Sequence, residues 1–368
     1  MKILQVIPSM DSRYGGPVFV AGLASRLLGI HEVPNAILTI DCAQTRQNHN
    51  IVGYKRSFNL WDFSLDFFIN AHKEVKNCDG LLIHGLYSSL TLWTCILSMI
   101  YGKKVFLRPA GMLDFDSIFS GSGKKILFRV FYLLFTSVII YMASSRIVFN
   151  SSKEINNSLF GKSKKAIILP NGVDPALFEV DQKNKIYKKK FKVFFMGRLD
   201  KIKGIDLIVD AFSGLEKDIS ENIELIVAGD GDEEFVENLK SRSSSNIIFI
   251  GHVEGSLKYQ YLKECDIYLQ PSKTEGLSNS MLEAMFCSVA MITTKHVGLS
   301  QELEDHEAAE IISFDVRELR NAIVKLVQSR SLVQKYKSNA LEFVEKNYDF
   351  NENIKNYISL FRAECNCL

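Results

Sequence analysis

Two glutamates and the segment between them are the residues best suited to chemistry in this sequence. Glu275 precedes a predicted helix and Glu283 lies about one turn inside it, in the stretch SKTEGLSNSMLEAM of residues 272–285. Gly276 lets a ligand approach the backbone closely, and a helix capped by one of residues 278–280 presents free amides to an anion. The order of carboxylate, amides and carboxylate fits a ligand of sugar, diphosphate and ribose. A capped helix with solvated glutamates is the alternative.

A second loop carries two cations. After a predicted strand over residues 191–196, Arg198 and Lys203 bracket a loop that leads into a predicted helix over residues 205–212. Arginine can hold a diphosphate with its planar fork, and lysine can do so with a point charge. The two residues therefore predict a diphosphate site, with an ordinary basic loop as the alternative.

Strands that alternate with helices predict parallel sheets. The predicted strands are 2–8, 79–84, 104–108, 145–149 and 166–169 in a first series, and 191–196, 223–229, 246–251, 266–271 and 290–294 in a second. A turn at residues 170–174 separates the two series, and 368 residues suffice for two domains. We predict an α/β fold with two Rossmann-like domains that face each other across a cleft. The first covers residues 1–169, completed by a C-terminal helix at 350–368, and the second covers 170–349.

The net charge of +2 hides an asymmetry. Residues 1–170 carry nineteen Lys and Arg against ten Asp and Glu, and the remainder of the chain is net acidic. Solvated faces explain this, and so does an anionic partner such as a membrane surface or a phospholipid-linked substrate. For the apolar stretch 126–143 we expect a buried core helix rather than a membrane span. The alternative is an interfacial helix with Lys124, Lys125 and Arg129 at headgroup level.

The N-terminus and the cysteines indicate a cytosolic chain. The run MKILQVIPSM predicts a strand that turns at Pro8, and not a signal peptide. The seven cysteines show no paired framework. We therefore expect a cytoplasmic protein that associates peripherally with the inner face of the cell membrane.

Several motifs together carry a resemblance to a known family. They are Gly15-Gly16, Pro170-Asn171-Gly172-Val173-Asp174, Gly197-Arg198-Leu199, Lys203-Gly204, Gly229-Asp230-Gly231, Tyr268-Leu269-Gln270-Pro271-Ser272 and the stretch 272–285. In this order they resemble the retaining glycosyltransferase family four, which has the two-Rossmann (GT-B) architecture. The resemblance is to the members that build bacterial surface polysaccharides such as lipopolysaccharide or capsule.

The resemblance implies roles for individual residues. Arg198 and Lys203 would hold the donor diphosphate. Glu275 would contact the donor sugar, and Glu283 would contact the ribose. The Gly15-Gly16 loop would close over the donor phosphates. The implied donor-binding set is Gly15, Gly16, Arg198, Lys203, Glu275, Gly276, Leu277, Ser278, Asn279 and Glu283, and its catalytic members are Glu275, Arg198 and Lys203.

The implied reaction moves a hexose from a nucleotide-diphosphate sugar to a lipid-linked glycan acceptor, with retention of anomeric configuration. We expect no metal and no other cofactor, because Arg198 and Lys203 already neutralise a diphosphate. We expect no nucleic-acid partner. The predicted partners are the nucleotide sugar, the acceptor and an anionic membrane surface.

Several positions depart from the family pattern. Ser288 and Ala290 stand where relatives have Gly and Pro, and Ala110 stands where a Pro-His-Gly-Met-Leu element has His. A donor-binding but inactive partner subunit therefore stays open, as does a two-Rossmann sugar-nucleotide epimerase or hydrolase. His84 and Arg108 are the acceptor-side candidates, with a core or turn histidine as the alternative for His84.

Overall fold

The computed structural model describes residues 1–11, 14, 16–40, 50–58, 60–178 and 190–365. The chain forms two compact units. The first contains residues 1–171 and 351–368, and the second contains residues 172–350.

The first unit is built on a sheet of seven strands. These are β1 (Ile3–Val6), β2 (Asn35–Thr39), β3 (Ile51–Gly53), β4 (Gly80–His84), β5 (Lys104–Arg108), β6 (Ser144–Phe149) and β7 (Ala166–Ile168). Their order is β3-β2-β1-β4-β5-β6-β7, and all neighbours are parallel. The sequence prediction located β1 and β4 to β7 but missed β2 and β3.

The helices of the first unit connect these strands. They are α1 (Gly16–Ile30), α2 (Leu65–Lys76), α3 (Ser89–Tyr101), α4 (Phe115–Ile118), α5 (Gly123–Ala143) and α6 (Ser152–Asn156), with a short 3₁₀ turn at Leu60–Asp62. Buried side chains of α2, α3 and α5 form one apolar cluster with alternate residues of the sheet, which includes Leu81, Ile83 and Tyr132. Ala21 of α1 lies in a separate small cluster with Ile7 and Ile37.

Helix α5 differs from the expected core helix. Among the described residues it is long and apolar enough to cross a membrane, yet only 22% of its most apolar window is buried. The buried residues, which include Tyr132, Thr136 and Ile140, share one face. The prediction of a buried core helix over 126–143 is therefore wrong, because the face of α5 opposite these residues is exposed. Arg129 does not point to solvent either, because its Nη1 donates to the carbonyls of Ser117 at 2.6 Å and Ser120 at 2.8 Å.

The second unit is built on a six-stranded parallel sheet. Its strands are β8 (Phe191–Met196), β9 (Ile223–Ala228), β10 (Ile247–Gly251), β11 (Ile267–Gln270), β12 (Ala290–Thr294) and β13 (Ala309–Ile312). Their order is β10-β9-β8-β11-β12-β13. The helices are α7 (Ile205–Ser213), α8 (Lys217–Ser220), α9 (Glu233–Ser241), α10 (Gly255–Glu264), α11 (Asn279–Phe286), α12 (Ser300–Asp305), α13 (Val316–Gln328) and α14 (Arg330–Tyr348), with a 3₁₀ turn at Pro175–Phe178.

Both faces of the second sheet are covered. In β8, Phe194 belongs to one apolar cluster, whereas Val193 and Phe195 belong to the cluster on the other side. A strand buried on both faces needs a continuous apolar run rather than an alternating one. The run VFFM of residues 193–196 meets this requirement, and the predicted α/β class with two Rossmann-like domains is confirmed.

The last helix, α15 (Phe350–Glu364), returns to the first unit. The Tyr357 hydroxyl donates to the carbonyl of Leu169 at 2.8 Å. The ring of Phe361 meets that of Phe106 of β5 edge-on, with centroids 4.7 Å apart. The first unit is therefore assembled from both ends of the described chain.

Candidate functional site

Two loops meet at the carboxyl edge of the second sheet. Because β8 and β11 are neighbouring parallel strands, the loops that follow them begin side by side. The amide of Lys273, after β11, donates to the carbonyl of Ile202, after β8, at 2.7 Å. This junction lies where open parallel sheets bind their ligands.

The junction contains an ion pair between Lys203 Nζ and Glu275 Oε2. The two side chains are 22% and 18% exposed, so the pair is shielded but still reachable from solvent. Asp200 fixes the start of this turn by accepting the amide of Lys203 at 2.9 Å and that of Ile202 at 3.0 Å. The sequence predicted a role for each member of the pair but not their contact.

Arg198 takes a different partner. Its side chain is 69% exposed, and its Nε donates to Asp200 Oδ2. Asp200 thus contacts both predicted cations, Arg198 through its side chain and Lys203 through its backbone. The sequence analysis missed Asp200, although an acid between two cations in a turn was a visible signal.

Glycines allow the loops to touch. Gly204 has φ +74°, and a Cβ there would overlap the carbonyl oxygen of Pro271. Gly298, in the loop after β12, donates its amide to the carbonyl of Gly276 at 3.0 Å, and a side chain on Gly298 would overlap that oxygen. Glu275 is therefore held between backbones on two sides.

Ser278 caps helix α11, because its Oγ accepts the amide of Met281 at 3.4 Å. Below the cap, Gln270 Oε1 accepts from Ser278 Oγ at 3.3 Å and from Ser280 Oγ at 3.4 Å. The buried hydroxyl of Tyr268 also donates to Gln270, at 3.3 Å. This network fixes the first turn of α11, where amide groups and the helix dipole favour an anion.

The remaining predicted residues of this stretch lie beside the cap. Gly276 and Leu277 are half-buried in the loop, and Asn279 is the first residue of α11. The Oδ1 atom of Asn279 is buried without a hydrogen-bond partner within the described part of the chain. A ligand donor could therefore satisfy Asn279 as well as Glu275.

Glu283 forms a second ion pair deeper in the unit. Its Oε1 accepts from Lys258 Nζ of α10 at 2.7 Å, with 4% of the Glu283 side chain and 15% of the Lys258 side chain exposed. Burial raises the pKa of Glu283, and Lys258 opposes this shift. The sequence analysis missed Lys258, which lies on a helix and in no motif.

The two carboxylates have separate lysines but share a neighbour. Burial raises the pKa of the Tyr268 hydroxyl, and the charges of Glu283 and Glu275 raise it further. Both carboxylates therefore act on the same buried side chain, one from the loop and one from α11.

The first-unit candidates lie in a buried polar cluster. His84 and Arg108 are register partners at the ends of β4 and β5, and both are almost completely buried. His84 Nε2 lies 2.8 Å from Gln5 Oε1. Burial and then Arg108 lower the pKa of His84, so its imidazole is neutral at pH 7. This burial favours the core alternative for His84.

Arg108 is only partly paired. Its Nη2 donates to Asn150 Oδ1 at 3.1 Å, and its guanidinium lies over the ring of Tyr357. Its Nε and Nη1 atoms are buried without a hydrogen-bond partner among the described residues. Nearby, buried Glu154 accepts the amides of Gly111 at 2.6 Å and Asn150 at 2.7 Å. The cluster fixes the backbone that follows β5.

The glycine motif of the first unit is only partly described. Gly16 is the exposed first residue of α1, and Gly15 lies outside the described residues. Ala110 is exposed and has φ +51°. This left-handed conformation is uncommon for alanine and marks the loop after β5 as strained.

Comparisons with known proteins relate the chain to glycosyltransferases. Residues 178–343 match the family model described as "Glycosyl transferases group 1". The chain is 26% identical over 330 residues to an uncharacterised glycosyltransferase of Methanocaldococcus jannaschii, covering 86% of this chain and 80% of the relative. It is 28% identical over 185 residues, 48% of each chain, to the N-acetylgalactosamine-N,N'-diacetylbacillosaminyl-diphospho-undecaprenol 4-alpha-N-acetylgalactosaminyltransferase of Campylobacter jejuni.

A solved structure shares the fold. HepE from Anabaena, in complex with UDP and glucose, superposes with a TM-score of 0.79 over 99% of both chains, at 16% sequence identity. The family match and these similarities support a glycosyltransferase of the GT-B fold.

Proposed function

We propose that this chain, whose residues 178–343 match the model of group 1 glycosyl transferases, moves a sugar from a nucleotide-diphosphate sugar to a glycan acceptor. The observation that carries the proposal is the Lys203–Glu275 pair at the junction of the loops after β8 and β11. The bond to be broken joins a sugar carbon to a diphosphate oxygen. A lysine and a carboxylate side by side suit its two ends, because one binds the diphosphate and the other accepts from sugar hydroxyls.

Donor binding would exchange partners within this pair. The diphosphate would pair with Lys203, and the sugar hydroxyls would donate hydrogen bonds to Glu275. The acceptor hydroxyl oxygen bonds to the sugar carbon as the bond to the diphosphate breaks, and the hydroxyl proton leaves with the nucleoside diphosphate. The negative charge that grows on this leaving group is stabilised by Lys203 and by the N-terminal turn of α11.

Arg198 would join the diphosphate by leaving Asp200. Its side chain is mostly exposed, and exposed ion pairs contribute only about 0–1 kcal/mol. The exchange therefore has a small energetic cost. With Arg198 and Lys203 supplying the positive charge, the proposed reaction uses no metal.

Glu283 would bind the ribose of the donor. Burial raises the pKa of Glu283, and its ion pair with Lys258 opposes that shift and so favours the charged form, whose oxygens accept hydrogen bonds from ribose hydroxyls. A hexose donor and retention of configuration follow from the family resemblance, and we include both in the proposal.

We further propose a lipid-linked acceptor, met at the cytoplasmic face of the cell membrane. Two observations support this part. The Campylobacter relative is named for a diphospho-undecaprenol acceptor, and the cationic excess of the chain is confined to its first 170 residues.

A binding screen tests the donor part. Thermal shift with UDP-, GDP-, ADP- and CMP-sugars identifies the nucleotide, and titration calorimetry then compares Lys203→Ala with Lys201→Ala. Lys201 is an exposed lysine of the same turn and serves as the matched control. We expect Lys203→Ala to lose at least tenfold in donor affinity and Lys201→Ala to match the wild type. If Lys203→Ala also binds the donor as tightly as the wild type, the proposal loses its basis.

A donor-binding but inactive partner subunit is the second candidate, and Ala110 favours it. An exposed alanine in a strained loop offers no polar group to a reacting centre. Donor binding without turnover in a membrane extract that contains the native acceptor would support this candidate. Turnover by the wild type would exclude it.

A further inference from the structure

Helix α5 carries an apolar line along its outer face. Its members are between 49% and 72% exposed and are Leu127, Phe131, Leu134, Phe135, Val138 and Met142. Steps of three and four residues keep side chains on one face of a helix. Single exposed apolar residues are normal on soluble surfaces, but an unbroken line of six marks an interaction surface.

The inner face of α5 is committed to the first unit. Tyr132 is fully buried, and its hydroxyl donates to the carbonyl of Ser88 at 3.0 Å. The ring of Trp61 meets that of Tyr132 edge-on, with centroids 5.8 Å apart. A membrane span would expose Tyr132, Thr136 and Ile140 to lipid and break this packing, so a partner can reach only the outer face.

Lysines stand at both ends of the line. Lys124 precedes Leu127 by three residues and so continues the line, and Lys125 follows it. Both are exposed and form no ion pair within the described part of the chain. At the other end, Lys165 Nζ donates to the carbonyl of Tyr141 at 2.7 Å. The distance from Lys124 to Met142 along the helix is about 27 Å.

The surrounding sequence has the same sign. Residues 101–170 contain eleven Lys and Arg and only three Asp and Glu, which accounts for most of the cationic excess of the first half. The apolar line with cations at its ends suits a partner that has an apolar interior and a negatively charged surface. A bilayer that contains anionic phospholipid has this chemistry.

We propose that the outer face of α5 docks on an anionic bilayer, with the helix lying flat and its line of six side chains at the boundary between headgroups and acyl chains. The inference rests on the proposed function for its purpose, since docking brings the enzyme to a lipid-linked acceptor. A second copy of the chain fits less well, because both ends of the line are cationic. Parallel or antiparallel pairing of two α5 helices would bring lysines together.

Vesicle co-sedimentation tests the docking surface in the full chain. The probes are vesicles of phosphatidylcholine alone and of phosphatidylcholine with about 30% phosphatidylglycerol. The stripe variant is Leu134→Gln with Val138→Gln, both on exposed positions. Its matched control is Ile30→Gln with Ile248→Gln, which are exposed apolar residues outside α5. Fluorescence of Trp61, recorded with every protein in a Trp93→Phe background because the chain has two tryptophans, shows whether α5 stays packed.

We expect the wild type and the control to sediment with the anionic vesicles and much less with the neutral ones. The stripe variant should bind at least tenfold more weakly with unchanged Trp61 fluorescence. Lys124→Gln should lose about fivefold, since each lysine near an anionic surface contributes about 1 kcal/mol.

Three results would overturn the inference. The first is a wild type that does not sediment with anionic vesicles, and the second is a stripe variant that sediments as much as the wild type. The third is a dimer that the wild type forms without lipid and the stripe variant does not form. Calorimetric binding of the nucleotide sugar, measured on the same proteins without vesicles, separates the two proposals. A wild type that binds no nucleotide sugar would refute the proposed function. The docking surface is tested by the vesicle experiment alone.

Discussion

Replacing Lys258 by Met tests the buried ion pair of the second unit. The change leaves Glu283 with 4% side-chain exposure and no lysine. Removing one partner of a buried ion pair destabilises a protein by about 3–5 kcal/mol. Because Glu283 can relieve part of this by binding a proton, we expect the free energy of unfolding to fall by about 3 kcal/mol at pH 8.

The loss should depend on pH, with a sign set by the raised pKa of Glu283. A carboxyl whose pKa is higher in the folded protein than in the unfolded chain binds protons preferentially in the folded state. Its contribution to stability is therefore present below the ordinary Glu pKa of about 4.3 and is lost as the pH rises through the folded pKa. Lys258 limits this loss in the wild type, so Lys258→Met should be less damaging at pH 5 than at pH 8.

Urea denaturation followed by far-UV circular dichroism at both pH values measures the effect. The double variant Lys258→Met with Glu283→Gln should recover about 2 kcal/mol at pH 8, because no buried charge remains. Lys240→Met is the control, since Lys240 pairs with Glu237 on the surface of α9 and should cost less than about 1 kcal/mol at either pH. An equal loss at both pH values, or a double variant as unstable as Lys258→Met, would refute the reasoning.

Three further substitutions test the loops. Ser288, which follows the C-cap Cys287 of α11, has φ +55°, so Ser288→Gly should add about 0.5–1 kcal/mol of stability and raise Tm; a lower Tm would contradict this. Gly204→Ala should lower stability by about 2 kcal/mol or more, because φ is +74° and the Cβ meets a backbone oxygen; Gly22→Ala, in open space on α1, is the control. Gly16→Val should abolish turnover at unchanged Tm if the first glycine loop takes part in donor binding, and normal turnover would exclude that role.

Much of the fold could be predicted from the sequence because buried parallel strands need continuous apolar runs. Ten predicted strands are present, and the missed ones are β2, β3 and β13. β3 has three residues and, like β13, lies at the edge of its sheet. In β13 the half-buried Glu310 interrupts the apolar run of the sequence, and β2 begins with the polar residue Asn35. Weak runs at or near a sheet edge look like loops in a single sequence.

The site could be predicted in part. Residue type and position at strand ends selected Lys203 and Glu275, but their contact depends on the pairing of β8 with β11, across 72 residues of sequence. Lys258 could not be selected, because its partner is set by the packing of α10 against α11. The outer face of α5 was misjudged for a related reason, since hydropathy does not tell which sides of a helix its neighbours cover.

The most direct test of the central claim compares the two members of the Lys203–Glu275 pair in nucleotide binding. Titration calorimetry of the nucleoside diphosphate, without its sugar, should show at least tenfold weaker binding to Lys203→Met. Glu275→Gln should bind it as tightly as the wild type or more tightly, because Lys203 is released, and should still lose turnover with the complete nucleotide sugar. If both variants bind the nucleoside diphosphate and turn over like the wild type, the pair is a surface contact and not the donor site.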